Sequence, residues 1–280
     1  MNRRLLLLGA ALILTGLTGL LPRVAPDGYA YIPQLLTCLL VVGAGLFVLR
    51  FAGLLLLWTC LLAITAILLF GFVEMFQQMS NLKSYGFFVV CSLFLMELGA
   101  PFLWGSAKAR RVLPGSLPAQ KAGRLSAGVV QLGFVFMFAA EVHHIAQFPY
   151  FDQSQSPGAA ALDALMRLSE VAERILLLWA SIESVRTAVD DEGIARRAAR
   201  IDRLMGGWLF VGALHAILSH GHALVLSMGS ASVLTTYVWR SAALLLLSYG
   251  GALAVSNRLA VRNAGPDTVA TGNPLSGAEA

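Results

Sequence analysis

The chain has 280 residues, 58% of them hydrophobic and 12% charged, against roughly 25% charged in an ordinary soluble domain, and its mean hydropathy is +0.74. A soluble fold of this length has too little interior to hide so much apolar side chain, so that class is excluded. The net charge of +5 does not point to nucleic acid either, because the basic residues gather at the ends of apolar runs and not along one face.

Crossing about 30 Å of hydrocarbon at 1.5 Å per residue takes about 20 apolar residues, and only helices or closed barrels satisfy the backbone there. The runs predict an all-α, polytopic integral membrane helix bundle of about eight transmembrane helices. One membrane domain is expected over residues 1–262, with spans at 5–21, 32–49, 51–73, 85–104, 125–148, 162–189, 204–228 and 233–257. The first run follows Arg3 and Arg4 as a signal peptide would, but Arg23-Val24-Ala25 before Pro26 is a poor cleavage site, so a retained span is expected. Between the second and third runs only Arg50 to Gly53 can turn the chain, which predicts a tight hairpin. The fourth run places Glu97 just before Gly99 and Pro101, where proline removes a backbone donor and crowds the carbonyl four residues earlier, and a kink is expected. Charges interrupt the sixth run, where Arg167, Glu170 and Arg174 share a face and are expected to pair along it. Residues 263–280 are small, polar and punctuated by Gly and Pro, which predicts a disordered cytoplasmic tail.

Lys and Arg accumulate in cytoplasmic loops. One side of the expected bundle receives fourteen: Arg3, Arg4, Arg50, Lys108, Arg110, Arg111, Lys121, Arg124, Arg196, Arg197, Arg200, Arg203, Arg258 and Arg262. The other receives only Arg23 and Lys83. This asymmetry predicts that both termini face the cytoplasm, as in a bacterial inner (plasma) membrane, with the acidic loop around Asp152 outside. Cys38, Cys60 and Cys91 each lie inside an apolar run with no Cys-x-x-Cys pair, as small core residues do.

An ionisable side chain inside a membrane costs several kcal/mol unless paired or hydrated, so each is a candidate functional group. All five histidines fall in two spans: His143 and His144 in the fifth, and His215, His220 and His222 in the seventh. Helix rise puts His144 about 6 Å and His222 about 9 Å below the outer surface. Glu141 and His144, three apart, share a helix face and form the Glu-x-x-His pair that carboxylate-metal bundles present inward. Three chemistries fit these residues: a transition-metal ion held by Glu141, His144 and His222, a haem b with one axial histidine from each helix, or a proton relay. Histidines that only satisfy nearby carbonyls or interfacial water are the bland alternative. His215 lies about 10 Å from His222 along the axis and cannot share an ion with it. Arg240, in the eighth span, needs an acidic partner such as Glu170 or Glu173 or an anionic ligand, and a simple ion pair is its bland reading. Glu97, Arg240, Glu170 and Glu173 are the candidates for a proton or substrate path.

No phosphate-binding loop with Lys, no His-Glu-x-x-His and no Gly-x-Ser-x-Gly occurs, which argues against chemistry driven by ATP within the chain. The leading expectation is a membrane subunit with a His/Glu-rich metal or haem site in the outer half of the bilayer, exchanging electrons with quinone. The alternatives are a proton-coupled transporter of a small solute or ion, and a structural subunit whose charges pair with other membrane subunits. The lipid bilayer is the expected partner in every case.

Overall fold

The structure of the chain is a computed structural model that describes residues 3–19, 31–50, 53–78, 83–147, 157–186, 190–226 and 231–264. These residues form eight α-helices and no strand: α1 (Arg3–Gly19), α2 (Tyr31–Arg50), α3 (Leu54–Gln78), α4 (Lys83–Val112), α5 (Leu117–Gln147), α6 (Pro157–Val185), α7 (Asp191–Leu226) and α8 (Ala231–Ala264). α2 ends at Arg50 and the Gly53 carbonyl accepts the Leu57 amide at 3.3 Å as α3 starts, while residues 51 and 52 of the expected turn lie outside the described residues. Asn263 and Ala264 of the expected tail belong to α8, and the rest of it lies outside the described residues.

Among the described residues four segments are long and apolar enough to cross a membrane: Gly86–Val112, Leu117–Val142, Asp191–Ser219 and Trp239–Ala260. That is fewer than the eight expected, for two reasons. In the first three helices the described apolar stretches are the shorter Leu5–Gly19, Leu35–Leu49 and Leu54–Phe70. α6 has the length, with 29 residues, but Asp163, Arg167, Glu170, Glu173, Arg174 and Glu183 dilute it. Large side chains nevertheless cover the outside of the bundle, among them Leu125, Phe138 and Phe210, each more than 70% exposed. An outer surface of this kind belongs in lipid, because a water-facing apolar patch that extensive does not occur on soluble monomers.

α8 joins two cores. One of its faces carries Ala243, Leu247 and Ala254 into a core with Leu12, Val41 and Ile64 from α1, α2 and α3. The opposite face carries Leu245 and Ala252 into a second core with Leu103, Val130, Ala180, Met205 and Trp208 from α4 to α7. Spacings of four and seven residues keep each set on its own side of the helix, and the two sets lie about 170° apart. Around this second core α5 packs on α4 and α6, while α7 packs on α6, α8 and α4. α4 and α6 each pack on both α5 and α7, and among the described residues direct packing between α5 and α7 is at most slight.

The helices run past the hydropathy boundaries at the basic end. α5 starts eight residues before the expected span because Ser116 caps it, its hydroxyl oxygen accepting the Ala119 amide at 3.3 Å. α7 starts thirteen residues early for the same kind of reason. The Asp190 carboxylate accepts the Gly193 amide at 3.2 Å, and Asp191 and Glu192 occupy the first turn, where the helix dipole favours negative charge. The α5 extension carries Lys121 and Arg124, and the α7 extension Arg196, Arg197, Arg200 and Arg203.

Candidate functional site

Glu97, Glu173 and His215 lie where α4, α6, α7 and α8 face one another. Ser169 and Glu173, four apart on α6, share one face. Gly212, His215 and Ser219 share the facing stripe of α7 by the same spacing. His215 Nδ1 lies 3.1 Å from Ser169 Oγ and 3.2 Å from the Met166 carbonyl oxygen, and its Nε2 lies 3.4 Å from Ser219 Oγ. Both ring nitrogens thus have polar neighbours. One turn deeper, the Glu173 carboxyl rests against Gly212, where a Cβ would come 3.0 Å from Oε1 and 2.8 Å from Leu245 Cδ2. The missing side chain is what lets a carboxyl enter between α6 and α7.

On α4, Glu97 accepts a hydrogen bond from Ser248 of α8 at 3.4 Å, and its carboxyl lies within electrostatic range of Glu173. α4 continues as helix through Pro101, whose ring is buried against Gly251 of α8. Two hydrogen-bonded groups result, Ser219–His215–Ser169 and Glu97–Ser248, with Glu173 packed against Gly212 on the α7 stripe of His215 and within electrostatic range of Glu97. This polar file spans about 10 Å along α7 from Ser219 to Gly212 by helix rise, beside a core of Leu, Ile, Val, Met, Ala and Trp side chains.

The remaining candidates are committed elsewhere. Arg174 pairs with Glu170 one turn away and with Glu141 of α5 at 3.6 Å, so the Glu141 carboxylate faces a guanidinium. Arg167 turns back to Asp163 at 2.7 Å rather than forward to Glu170 as the shared stripe implied. Arg240 is buried on α8 with its guanidinium 4.7 Å from the centre of the Phe70 ring. The side chains of His143, His144, His220 and His222 lie outside the described residues, and with them the proposed facing of His144 and His222. Among the described residues no three His, Cys, Asp or Glu side chains converge on a point where a metal ion could sit.

Ser169 and Ser248 were not among the sequence candidates. Ser169 had a readable signal, since it lies four residues before Glu173 on the same face of α6. Ser248 had none, because its link to Glu97 spans 151 positions of sequence.

No known family, curated protein or solved structure matches the chain. Function must therefore be argued from the geometry.

Proposed function

We propose that the chain is a proton-coupled membrane transporter of a small solute or ion, with Glu97, Glu173 and His215 as its proton-handling groups. The observation that supports this reading is the polar file itself. Three titratable side chains lie among apolar ones, His215 bonded to the hydroxyls of Ser169 and Ser219 and Glu97 to that of Ser248, and ionisable groups so placed inside a membrane mark proton paths. A purely structural role would instead pair each carboxyl with a cation, as Glu170 and Glu141 are paired with Arg174. In this reading a proton entering at Ser219 reaches the imidazole of His215, passes by way of Ser169 to the Glu173 carboxyl, and is exchanged with Glu97. The fourteen-to-two distribution of Lys and Arg supports the accompanying topology, a plasma membrane with the basic end in the cytoplasm. Entry at Ser219 is then from outside.

The test is proton flux into sealed proteoliposomes under an imposed pH gradient, followed with a trapped pH dye, alone and against a panel of small solutes. The expected result is flux above empty liposomes in at least one condition, reduced tenfold or more in Glu173→Gln and in Glu97→Gln. The amide keeps the shape and most hydrogen bonds of the carboxyl but cannot exchange a proton, so both variants should elute as the native protein does. Equal flux in native protein and both variants, or no flux in any condition, overturns the proposal. A haem absorption band or a stoichiometric metal in the purified protein favours instead the redox site of Glu141, His144 and His222.

A further inference from the structure

At the basic end, α4, α5, α6 and α7 enclose a recess lined by Arg110, Arg124, Glu183, Arg186 and Arg197 together with Gln120, Ser184 and Ile194. Four guanidinium groups face one carboxylate. That carboxylate is already taken: Glu183 is buried and accepts from Arg186 at 3.0 Å, from Trp179 Nε1 at 3.3 Å and from Arg200, beside the recess, at 3.3 Å. The excess positive charge therefore resides on Arg110, Arg124 and Arg197.

Two of these three are built in rather than splayed into solvent. Arg110 is only 6% exposed, and it donates from Nε to the Ser106 carbonyl at 3.3 Å and from Nη2 to Ser184 Oγ at 3.0 Å. Ser184 in turn donates to the Gly123 carbonyl at 3.0 Å, and a Cβ on Gly123 would lie 2.9 Å from Arg110 Nη2. These contacts fix the plane of the guanidinium but leave its charge without a carboxylate among the described residues. Arg197 Nη1 is buried in the same recess without any hydrogen-bond partner among the described residues. A buried guanidinium nitrogen left unsatisfied beside two further arginines is unfavourable on both desolvation and like-charge grounds. An anion offering several acceptor oxygens relieves both at once, and planar guanidinium forks match phosphate oxygens two at a time.

We propose that this recess binds a phosphate group, and that the group belongs to the headgroup of an anionic phospholipid. Depth argues for the lipid. Arg110 and Arg124 flank the turn between two apolar segments, Gly86–Val112 and Leu117–Val142, so the recess opens at the level where acyl chains end and headgroups begin.

The test uses the full chain purified in neutral detergent, with retention of dioctanoyl-phosphatidylglycerol, dioctanoyl-phosphatidylcholine or inorganic phosphate read by native mass spectrometry. Saturable binding of one phosphatidylglycerol, at least tenfold tighter than phosphatidylcholine and weakened about tenfold in Arg197→Ala, is expected. Arg196→Ala serves as the control, because Arg196 is mostly exposed, pairs with Glu192 at 3.7 Å and does not line the recess. Arg110→Gln is the second variant; if it fails to fold, Arg197→Ala still decides. Binding that is unsaturable, or weakened equally by Arg196→Ala, means diffuse attraction to a basic surface and overturns the site. Inorganic phosphate bound at millimolar concentration, with no preference between the two lipids, overturns the lipid assignment.

Discussion

Where α1 crosses α2 the contact is backbone to backbone. A Cβ on Gly45 would meet the Gly9 carbonyl oxygen at 2.8 Å, and one on Gly16 would meet the Cys38 carbonyl oxygen at 2.9 Å, so three glycines let two apolar helices touch. Where α4 meets α7 the contact is made by charge. Asp202 of α7 accepts from Trp104 Nε1 at 2.6 Å and from Lys108 Nζ at 2.9 Å, and also pairs with Arg111, while Lys108 lies 5.1 Å from the centre of the Trp104 ring. The contrast teaches which part of the molecule carries chemistry. In lipid, apolar side chains gain nothing by leaving one apolar medium for another, so association rests on close packing or on polar links. α1 and α2 use the first means, and among the described residues no charged side chain of theirs enters the core. α4 to α8 use both, since a Cβ on Gly105 would meet the Ala252 carbonyl oxygen at 2.6 Å, and the polar file and the arginine recess both lie among them.

The largest effect is expected where the charged contact is broken. Asp202→Ala leaves Lys108, itself only 18% exposed, and Trp104 Nε1 without their shared acceptor. Removing one partner of a buried ion pair costs about 3–5 kcal/mol, so unfolding in mixed micelles should shift by that amount, and equal stability of variant and native protein would show that charge does not hold α4 to α7. The glycine contact should break at lower cost. Gly45→Ala drives a methyl group into Ile13 and the Gly9 backbone, which forces α1 and α2 apart, and overpacking of this kind costs about 1–3 kcal/mol. Gly43→Ala is the internal control, since a Cβ there meets nothing within 4 Å. If the two alanines behave alike, close approach is not what joins the first pair of helices.

Hydropathy made the number of helices, their order and the break at Arg50 legible, because the bilayer demands long apolar runs and the runs are separated by charge or turn residues. It misplaced the starts of α5 and α7, since apolarity ends where the headgroups begin while the helices go on into them. The signals that start those helices were present as Ser116 and as Asp190-Asp191-Glu192, and they report capping rather than hydropathy. The site divides in the same way. Glu97, Glu173 and His215 stood out singly as charges in apolar runs, but their grouping depends on which helices touch, and periodicity within one helix carries no such information. Arg110 and Arg197 were counted as topology markers, and only the meeting of four helices shows that both are drawn inward.

The smallest effect is expected at Arg196, and it bears on the contrast because this is also a charged contact on α7. Its guanidinium lies 3.7 Å from Glu192 one turn back, with side-chain exposures of 71% and 79%. Water and salt screen such a pair, and ordering two long side chains offsets much of the attraction, so exposed pairs on a helix contribute about 0.3–0.5 kcal/mol. Arg196→Ala should therefore leave unfolding within about 0.5 kcal/mol of the native value. Raising the salt concentration should abolish even that difference, because the screening length falls to about 3 Å at 1 M. The Asp202 cluster, shielded by Trp104 and the packed ends of α4 and α7, should keep most of its contribution in the same salt. A loss at Arg196 as large as that at Asp202 would mean that charge anywhere on α7 stabilises the bundle, and burial of the pair would no longer distinguish the two.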